Sequence, residues 1–586
     1  MPYSPSHRTW VLQQVDYVRA RLDLADHRML QLVKLMVTSQ DLLPDDLRTT
    51  VRDAILGFRY DLAEPGVDNM CTWTENHQLL FATCEYLAGQ LYPDEVFANQ
   101  ERTGAQKREA ARARLMGWLE ARFRHGFSDW LSPAYYELMA VGLVMLVDHA
   151  EDDDLATRAA MVLDLLMFDL ALHRFDSQFV ASGGRVLQDD KRRPRESPVK
   201  QILASAFGTP PRFDHSRLWG IFVARERYRV PDVIGEVAAA SGARVIKGSH
   251  GRDVAEALEG VRGTDDRVRT AWGQQAYLTG ESIHDTLTAI DEHGLEQNRL
   301  LAPLAQLARK VPSSARARRA ALAAMNPIQR GVALHRANVM TYRTPNYLLS
   351  SAQHYCPGQF GDQQHLWVAA LPRNITVFST HPGASTLGDG ARTSTPSNWV
   401  GNGINPEVAQ HTNVVLSLHD LRVRKGWFEG RRRDYSHLHF PFVDFDETTL
   451  TARAVVGRVG TALVGVAALE RLEMVSQTEL VQRGMLTGWA LVCSDLSQYR
   501  SLSAFAAAMK DSTLRYNRGS LIFRMGREYR LEWKGDFRVD GVVQDTNYWR
   551  HDNDWASTAR GSDVVRVQGR HRTLELDWAR GTRREG

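Results

Sequence analysis

Trp73-Thr74-Glu75-Asn76-His77 sets an aromatic ring, a carboxyl, an amide and an imidazole side by side. They stand immediately before apolar residues that recur at three- and four-residue steps. Thr74 is a candidate N-cap, which puts Asn76 and His77 in a first helical turn. There the Asn amide can donate to a carboxylate and the imidazole can move a proton near neutral pH. A second group, Asp129 to Glu137, opens another helix and carries Tyr135 and Tyr136. A tyrosine hydroxyl ordinarily titrates near pH 10, and a nearby cation lowers that enough to make it a base. In Ser182-Gly183-Gly184-Arg185 the glycines let backbone approach a ligand, and Arg185 can clamp a carboxylate in bidentate fashion.

A fourth group lies downstream, in YLLSSAQHYCPGQFG (347–361) and the Asp362-Gln363-Gln364-His365-Leu366-Trp367 that follows. Further on come His381-Pro382-Gly383, Asn398 to Gly403 with Trp399 and Asn402, and Gln410-His411-Thr412-Asn413. Amide and aromatic side chains in loops suit sugar recognition, because hydroxyls need paired donors and acceptors while ring faces stack. His354, Gln364, Trp399 and Asn402 are therefore candidate substrate contacts, as are Trp73, Glu75 and Arg185. His437 and His439 put two imidazoles on one face of a strand, but no third ligand is assignable from spacing, so neither a metal site nor a cofactor is expected. There is no phosphate-cradling loop, no dinucleotide fingerprint after a strand and no nucleophile elbow.

The elements that must position these residues fall into two blocks. Helical periodicity dominates the first third, and Met161 to Leu172 is apolar on nearly all sides, as in a helix held between layers. A polar stretch between Ser182 and Pro211 reads as a long loop, and helices resume at 231–240 and 298–324. Beyond Asn326-Pro327, β-branched and aromatic segments separated by turn residues predict antiparallel strands: 332–342, 365–371, 375–379, 414–418, 452–464, 520–523, 529–533, 564–567 and 573–578. Leu502 to Met509 is a helical excursion. The boundary falls near residue 330, giving an α-helical domain over 1–330 and an antiparallel β-sandwich over 331–586.

The whole chain, 586 residues with 43% hydrophobic and 24% charged, has the composition of an ordinary globular protein. Its 72 basic and 69 acidic residues leave a formal net charge of +3, which argues against a nucleic-acid or membrane-surface partner. The basic runs at Lys191 to Arg195 and Arg431 to Arg433 read as solvated loops. Four cysteines, with no metal spacing, are too few for a disulfide scaffold. Neither a signal-peptide pattern nor an apolar run of about 18 residues is present, so a cytoplasmic location is expected unless an upstream segment precedes this sequence.

A helical half followed by a large antiparallel half resembles the toroid-plus-sheet polysaccharide lyases: the chondroitin, hyaluronan and heparin lyases and their alginate-lyase relatives. The resemblance implies an incomplete (α/α) toroid followed by a β-sandwich, with the substrate lying in a cleft along the toroid. Asn76-His77 looks like the Asn-His element at the start of a toroid helix. Tyr135 or Tyr136 matches the toroid tyrosine, and His365, with His354 behind it, matches the β-domain histidine. Glu75 stands where such enzymes often carry a second Asn. The implied chemistry is β-elimination on a uronate-containing polysaccharide, with Asn76 and Arg185 neutralising the carboxylate, Tyr or His as base and Tyr as acid, without a cofactor. Two alternatives stay open. One is glycoside hydrolysis on the same toroid, with Glu75 and either Glu137 or Asp148 as paired carboxylates. The other is a non-catalytic glycan-binding protein.

Overall fold

The computed structural model describes the chain except residues 1–4, 209–217, 326–331, 384–396, 401–402, 427–428 and 430–431. Asn402, Arg431 and the boundary expected near residue 330 lie outside the described residues. The fold is α+β. Sixteen of the seventeen α-helices among the described residues precede residue 325, and the large antiparallel sheets follow. No helix among them is long and apolar enough to cross a membrane.

The helix Glu75–Leu91 is buried along nearly its whole length. It lies against Gly104–His125 so closely that a side chain at Gly89 would overlap Gly104 O. Glycine is required there because backbone meets backbone. Thr103 and Gln106 close a capping box at the start of Gly104–His125. In Asp153–Leu172 every residue from Met161 to Leu172 is buried, as its all-round apolar character predicts.

Ten strands form one antiparallel sheet and six another. Val408, Val464 and Leu491 of the six-stranded sheet share an apolar core with Val377 and Leu438 of the ten-stranded one. The helix Leu502–Asp511 seats Phe505 and Met509 in a second core with Leu521 and Phe523. The 452–464 segment is a hairpin, Ala454–Val459 and Ala462–Ala468, turned at Gly460 with φ 56°.

Two features depart from expectation. The stretch between 240 and 298 contains a strand, Arg244–His250, which pairs along its length with Ala337–Arg343 in the ten-stranded sheet. The sheet therefore begins inside the helical half. The supposed polar loop after Ser182 is instead largely packed: Gln188–Arg192 and Lys200–Phe207 are helical, and Lys191 is 2% exposed. Lys191 is not part of a solvated basic run, because its ammonium donates to the buried carbonyls of Gln364 and Trp399.

Candidate functional site

Three chain segments are stitched together where helices meet sheet. Gly183 and His365 exchange backbone hydrogen bonds at 3.0 and 2.8 Å, and Val186 N donates to Gln363 O. Ser132 Oγ donates to Arg185 O. The two glycines bring this backbone against the protein itself: a Cβ at Gly184 would meet the Trp130 ring, and one at Gly183 would meet Leu131 O. Close approach to a ligand is not what they provide.

Arg185 projects from this junction. Its Nη2 donates to the Tyr135 hydroxyl at 2.6 Å, its Nη1 to Asp129 Oδ2 at 3.3 Å and its Nε to Gln363 Oε1 at 2.8 Å. The guanidinium also lies 3.6 Å from the centre of the Tyr135 ring. With its amide oxygen turned toward Arg185, Gln275 accepts from Nε and donates to Asp362 Oδ2. Tyr135 and Asp362 are partly exposed, so the guanidinium lies just below the surface. Burial holds the Tyr135 hydroxyl above its ordinary range, with Arg185 opposing, so it keeps its proton. Burial also pushes the Asp129 carboxyl up to about 7, against the pull of Arg185.

His77 stands within electrostatic reach of Arg185. Its Nδ1 bonds Asp26 Oδ2 at 2.6 Å, which fixes the ring and leaves Nε2 for other work. His27 stacks on it at 5.7 Å, and atoms of Asp26, His27 and His77 capable of metal ligation all lie within 4.8 Å of one another. That group, rather than His437 and His439, is where a metal could be held. His437 spends both ring nitrogens on Glu479 and Thr380 and stacks on Trp399 at 3.9 Å. His439 bonds Thr376 O and stacks on Phe378.

The other candidates divide by what they touch. Thr74 occupies the N-cap position, but its hydroxyl donates to Asn76 Oδ1, and Asn76 Nδ2 is buried without a partner among the described residues. Trp73 donates to the Tyr277 hydroxyl and packs edge-on against Trp272. Gln364 accepts from Asp362 N. Trp399 is buried among Phe378, His437 and His439, so it offers no ring face to a sugar. His354 bonds Glu407, whose other oxygen accepts from Lys534 N, and so belongs to a different network. His365 reaches the junction through its backbone only. Its ring, both nitrogens unpartnered among the described residues, packs edge-on against Phe378 at 4.8 Å, and burial drives its pKa well down.

Tyr136 is a core residue: it is fully buried, accepts from Leu131 N and bonds Asp169 Oδ2 at 3.1 Å. Glu75 is saturated by Arg122 Nε, Ser128 N and Asp129 N at 2.7 to 2.8 Å, which makes it a structural anchor. Asp148 likewise accepts the N–H groups of Glu226, Arg227 and Tyr228. Glu137 is 3% exposed on its helix. The carboxylates proposed for hydrolysis are thus committed or enclosed. Sequence reasoning missed Asp26, Gln275 and the roles of Asp129, Asp362 and Gln363, because their partners lie tens to hundreds of positions away.

Lys191 gives one measurable consequence of this packing. Burial lowers its pKa from the ordinary 10.5 to about 7. Between those values the unfolded chain binds the proton and the native chain does not, so this residue makes stability rise with pH across that window and contributes no slope below it. Lys191→Met should flatten the rise, read as the urea midpoint followed against pH. An unchanged slope would mean that Lys191 is solvated.

No family model matches the chain, and no curated protein matches it. Among solved structures the chain is similar to heparinase III, at 10% identity and a TM-score of 0.33, over 92% of this chain and 80% of that one. The chemistry of the site therefore rests on its own geometry.

Proposed function

We propose that this chain is a carbohydrate-active enzyme that cleaves a uronate-containing polysaccharide by β-elimination. In this reading an incomplete (α/α) toroid (1–330) is faced by a β-sandwich (331–586), and the site lies where they meet. The observation that carries it is the Arg185 guanidinium, locked by Asp129 and Gln363 and bonded at 2.6 Å to a protonated tyrosine. Such an arginine can neutralise a uronate carboxylate and so acidify the adjacent C5 proton. His77 Nε2, oriented through Asp26, is the base that takes this proton. Tyr135 gives its own proton to the departing glycosidic oxygen, and a C4–C5 double bond remains on the new non-reducing end. Asn76 acts here as a positioning residue for the helix start, since its amide is enclosed.

A second reading, hydrolysis, is favoured by one observation, the Asp129 carboxyl pushed up to about 7, a value suited to a general acid. Acidic polysaccharides and a neutral glucan are digested in parallel while absorbance is followed at about 235 nm, where the unsaturated uronate absorbs. The expected result is a rise with acidic polymers alone. New reducing ends without absorbance would replace elimination by hydrolysis, and binding without turnover on any polymer would leave a glycan-binding protein.

A further inference from the structure

A cavity of about 630 Å³ opens in the helical half, between the helices Glu75–Leu91 and Gly104–His125 and the segment 251–274. It is separate from the Arg185 cluster but backs onto it: Ser128 and Gln274 line the cavity, while their chain neighbours Asp129 and Gln275 contact Arg185. Five arginines line it. Arg114, Arg122, Arg124 and Arg269 are each held by a carboxylate, in Glu85, Glu75, Asp563 and Asp61 respectively. Arg252 has neither a side-chain hydrogen bond nor an ion pair with any described residue. Burial and then the neighbouring Arg122 lower its pKa, with Glu256 and Glu75 opposing from beyond ion-pair distance; Glu120, Glu259 and Asp266 also line the cavity.

The polar lining is also incomplete. Among the described residues Thr72 Oγ1, Gln274 Oε1 and His125 Nδ1 are buried without hydrogen-bond partners, His125 Nδ1 lying 3.8 Å from a Glu256 carboxylate oxygen, and Thr72 and Gln274 are only 7% and 3% exposed. Buried polar atoms are rarely left unpaired, and several of them around one cavity are groups that water or a polar ligand can satisfy. The Trp73 and Trp118 rings add apolar surface to the same lining.

We propose that this cavity binds the anionic group of an acidic sugar unit, with Arg252 receiving the carboxylate or sulfate and Thr72, His125 and Gln274 meeting hydroxyls. The size suits such a ligand, because small-molecule sites commonly span about 300–1,000 Å³. An acidic ligand in this place is a second binding site, not the reaction centre. Its ligand class rests on the acidic-glycan reading, whereas the anion site does not.

The test uses the full chain, with inorganic sulfate, glucuronate and glucose titrated calorimetrically into wild type and two variants. Arg252→Gln removes the charge. Gly117→Leu fills the cavity, since a Cβ at Gly117 meets nothing within 4 Å. The expected result is that sulfate and glucuronate bind, glucose does not, and both variants weaken anion binding about tenfold or more, the scale of one charge-assisted hydrogen bond. Binding unchanged in both variants, or no sulfate binding to wild type, overturns the site. Arg252-dependent sulfate binding without glucuronate binding overturns the sugar class and leaves the anion site. Loss of elimination chemistry in the digestion experiment, with Arg252-dependent glucuronate binding intact, would count against the reaction and not against this site.

Discussion

Tyr135→Phe lowers turnover by about a thousandfold and leaves the fold standing, the loss expected when a positioned proton donor is removed. The phenylalanine keeps the ring that Arg185 lies against at 3.6 Å, so packing survives while the hydroxyl bonded to Nη2 is gone. The effect belongs in kcat, with KM nearly unchanged, because the lost proton acts on the leaving oxygen and not on substrate binding. The neighbouring deletion is the control. Tyr136→Phe strips an acceptor from Leu131 N and a partner from Asp169, both enclosed, so it lowers stability by about 1–3 kcal/mol and spares turnover. Steady-state kinetics and urea unfolding on the two variants separate the roles. Turnover lost at Tyr136 and kept at Tyr135 would reverse the assignment.

Glu75→Ala carries the largest expected stability loss, about 3–5 kcal/mol, because it leaves a buried arginine without its counter-charge. Arg122 Nε, Ser128 N and Asp129 N all end on this one carboxylate, and Trp118 Nε1 donates to the same residue's carbonyl. Glu75→Gln keeps one acceptor oxygen and loses less. Guanidinium unfolding of both variants measures the difference. The Gln variant also speaks to chemistry: folded and active, it leaves Glu75 an anchor, whereas folded and inactive, it restores the carboxylate as an acid and hydrolysis with it.

What could be read from the sequence was what local pattern encodes. Apolar spacing located Glu75–Leu91, the uniform run of Met161 to Leu172 announced a helix enclosed on all sides, and β-branched segments marked most strands. Strand Arg244–His250 escaped because it is polar over much of its length and sits among glycines, and its partner Ala337–Arg343 begins over ninety positions later. The site divides the same way. Residue types flagged Asn76, His77, Tyr135 and Arg185, but periodicity reports which face is buried and not what it is buried against. Choosing between Tyr135 and Tyr136 needed the position of Asp169, and recognising Glu75 as an anchor needed Ser128 and Asp129. The His77–Asp26 pair, 51 positions apart, has no local signature at all.

Strand Arg244–His250 also meets His551–Asp552 across its other edge, and Arg583 reaches back to the buried carboxylate of Asp164 at 2.6 Å. A nascent chain emerging from the ribosome with its helices complete thus holds a strand with no neighbours and an acid with no cation. The strand gains its first edge at Ala337–Arg343, while its second edge and the acid wait for residues beyond 550. Residues 551–583 thus pin elements made several hundred positions earlier, so a product clipped before them loses those ties to the helical half.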